Sequence, residues 1–220
     1  KGFKPMFYYT VDPRTVAVRK GFGKLVKVPD DMRGMKMRVP SSKLLQQFYR
    51  LAGANPTVVA WGETPTALKQ GVADGLDPAV GALYTFGFID ILEGITLVES
   101  VPDAQMFAAN FKWFESLPKD LQGKFDEASA RTQVESFAQV LVARKNSMDA
   151  MGKAGIKFHQ PTADEKKQWV ETCGAQRPEW NDIKKELAGT LELFDRLAKP
   201  ADPAAAAGLP VHWDSTRLNP

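Results

Sequence analysis

Only one cysteine, Cys173, stands in this chain of 220 residues. A single thiol cannot close an internal disulfide, and such scarcity suits a cytoplasm or a bacterial periplasm equally. Long apolar runs are also missing. The longest uncharged stretch in the apolar part of the chain, PAVGALYTFGFI, has about a dozen residues, against the ~20 that a membrane-crossing helix needs. The two histidines, His159 and His212, have no Cys or carboxylate at metal-ligand spacing, so neither metal nor cofactor is expected. GxSxG, P-loop and HExxH motifs are absent. RKGFGKLVK offers only a GxG with no strand–helix context. Neither sign of charge dominates: 29 Lys and Arg face 26 Asp and Glu, for a net +3. The charges are interspersed. Mild basicity helps to recruit anions but gives no patch for nucleic acid.

What is present alternates between two periods. MFYYTV and TVAV are short runs of aromatic and β-branched residues with strand character. MKMRV alternates polar and apolar and predicts a strand. Ser41 and Ser42 then offer helix N-caps, and Leu44, Leu45, Phe48, Leu51 and Ala52 share one helical face, with Gly53 as C-cap. TVVAW predicts a strand ending at Trp61. ETPTALKQG predicts a helix with Pro65 in its first turn and Gly71 at its end. VADGLD predicts a third strand. PAVGALYTFGFIDIL reads as a helix, GITLVES and DAQMFAANF as strands, and FKWFESLP as a short helix. Strands alternating with helices predict a mostly parallel sheet with covering helices.

From Pro118 to Gly155 no further proline occurs. Leu121, Phe125, Val134, Phe137, Leu141, Met148 and Met151 recur at helical spacing, which predicts one helix, or two with a kink, of up to ~50 Å. IKFHQ predicts a strand. Thr162 with Glu165 three residues on has the capping-box pattern before a helix carrying Cys173, whose place on an amphipathic face predicts burial. PEWNDIKKELAGTLELFDRLA reads as one more helix, and KPADPAAAAGLP as a low-complexity tail or linker.

One residue stands out against this background. Arg38 puts a guanidinium at the tip of the MKMRV strand, just before Pro40. Its segment PDDMRGMKMRVP resembles the D-x-x-G-x-K-x-R-V segment of the substrate-binding proteins of tripartite ATP-independent periplasmic (TRAP) transporters, C4-dicarboxylate-binding type. Two further segments match in order. LAGANPTVVAWGETPTALKQGVADG resembles that family's L-G-A-N-P, aromatic-x-E, A-L-x-x-G and D-G series. NFKWFESLPKDLQ resembles its N-x-x-x-[FW]-x-x-L-P-x-D-L-Q segment. The likeness runs from about residue 24 to 200.

The resemblance implies an α/β, periplasmic-binding-protein-like fold of two lobes closing over an organic acid, with long helices spanning both. Family members run to about 300 residues, so the chain, which starts at Lys1 and not at Met, is expected to be the C-terminal two thirds of such a protein. Residues 1–30 would complete the first lobe and 31–117 form the second. Residues 118–200 would supply the spanning helix and the C-terminal helices, and 201–220 a tail. Apolar surface and strand edges should then lie open. The implied protein is a periplasmic receptor, made with a signal peptide. It catalyses nothing, is not embedded in the membrane, is a monomer, and delivers its ligand to TRAP membrane permease subunits.

In that family the K-x-R arginine grips the ligand carboxylate, which gives that role to Arg38. The chemistry fits, because paired guanidinium donors match the two oxygens of a carboxylate. Trp61 occupies the family's aromatic ligand-contact position and would offer a flat wall with one N–H. Pro78 stands where sialic-acid and C4-dicarboxylate members carry a polar residue, usually Asn. Its neighbour Asp77 is then a candidate acceptor for a ligand hydroxyl or amine, or a repulsive charge against a second carboxylate. Arg19 and Arg14 lie near the place of a second arginine, which simple counting puts at Ala17 or Val18, and Arg19 is the candidate. Gln105 is a further candidate at the start of its strand. Two rival readings remain. One is a binding module that presents a ligand to a signalling receptor. The other is an enzyme using Asp77 or His159 as acid or base, although no sequence neighbour pairs with either.

Overall fold

The computed structural model describes residues 2–198. The chain divides into two compact units, residues 1–174 and the part from 175 onward.

The first unit is built on a six-stranded sheet. Its strands are β2 (Val16–Arg19), β3 (Lys36–Val39), β4 (Asn55–Val58), β5 (Gly75–Leu76), β6 (Leu92–Thr96) and β8 (Lys157–His159), in the spatial order β4-β3-β5-β2-β6-β8. The β4–β3, β3–β5 and β6–β8 pairs are parallel. However, β2 runs antiparallel to both β5 and β6. The expected mostly parallel sheet is therefore a mixed one, with β2 reversed near its centre. Pro56 pairs with Met37 on the edge strand β4, where a residue without an N–H costs no interior ladder bond.

Two strands stand apart from this sheet. β1 (Phe3–Val11) and β7 (Asp103–Asn110) pair antiparallel as a ribbon. Besides the return from β7 to β8 over 111–156, the chain passes between sheet and ribbon twice, at 12–15 and 97–102. These crossings lie side by side: the Arg14 N–H donates to the Val101 carbonyl at 3.0 Å, and the Ser100 N–H to the Arg14 carbonyl at 3.3 Å. Glu99, in the second crossing, has φ +55°, the one positive value outside glycine among the described residues. Left-handed backbone is costly for a side-chain-bearing residue. Glu99 is held there by ion pairs to Arg144 at 3.1 Å and Lys166 at 3.6 Å.

The helices follow their caps. In α1 (Lys43–Leu51) the Ser42 hydroxyl accepts from the Leu45 N–H, and Gly53 takes φ +82° just beyond. The buried face is Leu45, Phe48, Tyr49 and Ala52; Leu44, expected inside, is exposed, and Tyr49 takes its place. β4 ends at Val58, so Trp61 does not close a strand. It opens a 3-10 turn, Trp61–Glu63, leading into α2 (Thr64–Lys69). The expected long helix from Pro78 is shorter: α3 spans Val80–Thr85, Gly87 turns the chain at φ +75°, and a 3-10 turn follows at Phe88–Asp90. After α4 (Phe111–Ser116), α5 runs unbroken over Lys119–Lys153, 35 residues and about 50 Å. Its apolar residues are mostly not core: Leu121, Phe125 and Val134 are exposed, and only Ser129, Ser147 and Met151 are buried. α6 (Ala163–Cys173) begins with the predicted Thr162–Glu165 capping box and buries Cys173.

The core of the first unit gathers Ala17, Leu76, Val80, Leu83, Phe88, Leu92 and Ile95 around the middle strands. Between the ribbon, α4 and α5 lies an apolar groove of about 260 Å³ lined by Phe7, Phe107, Trp113 and Phe125. Phe3, Tyr8, Phe107 and Trp113 are exposed.

In the second unit a 3-10 turn at Pro178–Trp180 leads into α7 (Asn181–Ala188), and α8 follows at Leu191–Ala198. Gly189 at φ +82° splits the single helix expected here. The predicted tail at 201–220 lies outside the described residues.

Gly75 is the point of the sheet where neighbouring backbone leaves no room for a side chain. A Cβ there would sit 2.4 Å from the Ala17 carbonyl oxygen and 2.4 Å from Met35 Cε. A Cβ at Gly94 meets chiefly the movable end of Leu25, at 2.2 Å. Gly75→Ala is therefore expected to cost about 2–3 kcal/mol and Gly94→Ala clearly less. Urea unfolding of the two variants checks this, and equal losses would refute it.

Candidate ligand-binding site

The parallel strands β4, β3 and β5 point their C-terminal ends the same way, and β2 enters the sheet at that edge. In open α/β sheets this is the edge where ligands dock. The edge gathers Arg38 from β3, Val59 and Trp61 after β4, Asp77 and Pro78 after β5, and Arg14 and Thr15 before β2.

Arg38 is 4% exposed. Its Nε and Nη2 both donate to the Val59 carbonyl, at 3.0 and 2.8 Å. The guanidinium lies 5.2 Å from the centre of the Trp61 ring. Among the described residues no carboxylate lies at ion-pair distance from it. Burial lowers its pKa, the Asp77 charge opposes that shift and Arg14 adds to it. A guanidinium nevertheless remains charged. One side of the fork is thus fixed on a carbonyl, while the end of the fork has no anionic partner.

Trp61 is half-buried and meets Phe86 edge-on at 5.3 Å and Phe88 at 5.3 Å. Phe86 is exposed, so the pair forms an aromatic wall beside Arg38.

Asp77 is wholly buried. The Arg14 Nη1 stands 3.3 Å from its Oδ1, without the alignment of a hydrogen bond, and neither carboxylate oxygen has a well-formed one. Burial pushes its pKa up to about 6, against the pull of Arg14 and Arg38. The Tyr49 hydroxyl, also buried without a well-formed hydrogen bond, has its pKa raised by burial and then by the Asp77 charge. Pro78 is buried, and its carbonyl accepts from the Thr15 hydroxyl at 2.8 Å.

The other two candidates lie elsewhere. Arg19 sits at the opposite end of β2, where its Nη2 pairs with Asp74 at 3.2 Å; Asp74 in turn accepts from the Lys36 N–H at 3.0 Å. Gln105 is exposed on the ribbon, where its side-chain oxygen accepts from the Tyr9 hydroxyl. His159 pairs with Glu165 at 2.8 Å, away from Asp77 in the sheet. Among the described residues no cluster of His, Cys, Asp or Glu could hold a metal.

Residues 9–185 match the family described as bacterial extracellular solute-binding protein, family 7. The chain belongs to this family. Its members are solute-binding receptors rather than enzymes, with relatives of the TRAP C4-dicarboxylate-binding type. The C4-dicarboxylate-binding periplasmic protein DctP of Rhodobacter capsulatus is 30% identical over 147 residues, covering 66% of this chain and 44% of that protein. Two solved structures of TRAP periplasmic solute-binding proteins share the fold. One, from Chromohalobacter salexigens with bound D-glucuronate, has a TM-score of 0.79 at 21% identity, over 89% of this chain and 62% of that one. The other, from Sulfurospirillum deleyianum with bound succinate, has a TM-score of 0.77 at 22% identity, over 91% and 64%. The chain spans about half the length of the curated family 7 relatives it matches.

Tyr49 and Arg14 are the site residues that sequence reasoning missed or set aside. Tyr49 carried a signal: Leu45, Phe48, Tyr49 and Ala52 follow i, i+3, i+4, i+7 spacing. Arg14 carried only the signal it shares with Arg19, nearness to the family's second arginine, and the choice between the two depends on β2 running backwards between β5 and β6.

Proposed function

We propose that this chain contributes one side of the binding cleft of a periplasmic receptor for a small organic acid. The ligand carboxylate docks on the free end of the Arg38 fork, and the Trp61–Phe86 wall covers the apolar body of the acid. The full protein closes on its ligand by bending at the crossings and delivers it to a TRAP membrane permease. The six-stranded sheet belongs to one lobe and the ribbon to the other.

One observation carries this reading. Arg38 is a buried guanidinium at the C-terminal edge of the sheet, anchored on a carbonyl and facing no carboxylate among the described residues. A fixed, desolvated fork of this kind recognises a carboxylate by geometry as well as charge. Relatives named for C4-dicarboxylates, and similar folds holding succinate or D-glucuronate, support an acid of that size.

The test is a thermal-shift screen of the full-length protein. It would cover short mono- and dicarboxylates, sugar acids, keto acids, aromatic acids and amino acids. A ligand that binds only the folded state raises the melting temperature, by an amount set by its concentration over Kd. A shift for one acid class is expected. No shift for any carboxylate would overturn the reading.

A further inference from the structure

A buried carboxylate beside an anion site poses a charge problem. Asp77 has no exposed surface and carries a charge that some cation must balance. Two arginines are near enough to act on it electrostatically, Arg14 and Arg38. If Arg38 balanced Asp77, the site would hold its own internal anion, and a ligand carboxylate would have to displace it.

The geometry divides the two arginines differently. Arg14 Nη1 stands 3.3 Å from Asp77, and its Nη2 stands 3.2 Å from Asp103 at the start of β7. Among the described residues Arg38 donates to the Val59 carbonyl and pairs with no carboxylate. Arg14 is also fixed by its backbone, which is hydrogen-bonded in both directions to the second crossing. It is therefore a clamped counter-ion, with one nitrogen on the sheet's aspartate and one on the ribbon's.

We propose that Arg14 is a positioning residue for anion binding, which holds the Asp77 charge to itself and so leaves Arg38 free for a ligand carboxylate. The proposal rests on Arg38 being the carboxylate anchor. Arg14, Arg38 and ionised Asp77 sum to one positive charge. Removing Arg14 brings the sum to zero, and Asp77 then turns its charge on Arg38. Removing the Asp77 charge as well restores the sum.

This predicts a rescue that a structural defect would not give. Succinate and D-glucuronate serve as probes by titration calorimetry on the full-length protein at pH 8, with wild type, Arg14→Met, Arg14→Lys, Asp77→Asn and the Arg14→Met/Asp77→Asn double variant. Arg14→Met is expected to lose tenfold or more in affinity. Arg14→Lys should keep most of it, Asp77→Asn should not lose any, and the double variant should return to within about threefold of wild type. A double variant no better than Arg14→Met, or a tenfold loss in Asp77→Asn, overturns the proposal.

A ligand-free measurement decides the question even where neither probe binds. In protein labelled with 15N-arginine, the Arg38 guanidinium signals should move in Arg14→Met, as Asp77 becomes their partner, and return in the double variant. Unchanged Arg38 signals in Arg14→Met would also overturn it. The two readings fail separately. Arg38→Met binding a probe as well as wild type would remove the carboxylate anchor but leave the Arg38 signals as a test of how the charges are divided. Loss of binding in Arg38→Met with no effect of Arg14→Met would leave the anchor standing and remove Arg14.

Discussion

Arg38→Ala is expected to weaken binding of the acid found by screening by about 100-fold or more while leaving the protein folded. Truncating one member of a desolvated, hydrogen-bonded charge pair costs about 2–5 kcal/mol, and each ~1.4 kcal/mol is a factor of ten in affinity. The fold should survive because the substitution removes a buried charge rather than stranding one. Among the described residues, the group that loses its donors is the Val59 carbonyl. Arg38→Lys should recover little, because an ammonium cannot hold the Val59 carbonyl and also present a fork. Calorimetry of the three proteins, with circular dichroism as the folding control, tests this. Affinity retained in Arg38→Ala would remove Arg38 from the site.

Asp77→Asn should change how stability depends on pH. The folded-state pKa of Asp77 is raised from its ordinary 3.8 to about 6 by burial. Between those values the folded protein holds a proton that the unfolded chain has released. Stability from this group is therefore greatest below about pH 4 and falls as the pH rises through 6. A shift of about two units corresponds to roughly 3 kcal/mol, lost by pH 7. Asn cannot titrate, so the variant should lack this loss. Asp12, also raised by burial, and Glu165, lowered chiefly by the Thr162 backbone hydrogen bond, add their own slopes to both proteins. The difference between wild type and variant isolates Asp77. Urea unfolding at pH 4.5 and 7.5 measures it. Identical pH dependence in the two proteins would show that Asp77 is not a strained, buried acid.

Sequence reasoning reached some of this site and missed the rest for definite reasons. Short-range signals were legible. Alternation in MKMRV placed Arg38 on a strand, Ser42 and Thr162 started their helices, and the proline-free stretch marked out α5, although it left open whether the helix was kinked. Boundaries set by a single glycine were less so: Gly87 and Gly189 cut helices whose apolar residues continue on both sides. Long-range placement was not legible at all. Arg14 and Arg19 are five positions apart and look alike in sequence. Only the reversed direction of β2 sends Arg14 to the edge with Asp77 and Arg19 to the opposite one with Asp74. Likewise, nothing local shows that the side chain after β5 turns inward, so the sequence alone does not reveal that Asp77 is buried.

The paired crossings restrict how ribbon and sheet can move against each other. A single linking strand would allow swing, twist and slide. Two strands running in opposite directions and bonded at Arg14, Ser100 and Val101 resist sliding, because sliding breaks both bonds, and they resist twisting, because each braces its neighbour. Rocking about the line that joins them is left. Along that line Glu99 keeps a backbone angle that a side-chain-bearing residue rarely holds, under the pull of Arg144 and Lys166. In the closure proposed above, the two crossings would favour rocking over sliding, and α5, which packs on both β1 and α3, would brace the same joint. The ribbon would meet the Arg38 edge in the same orientation at every closure, with little of the conformational search that a floppy linker would impose.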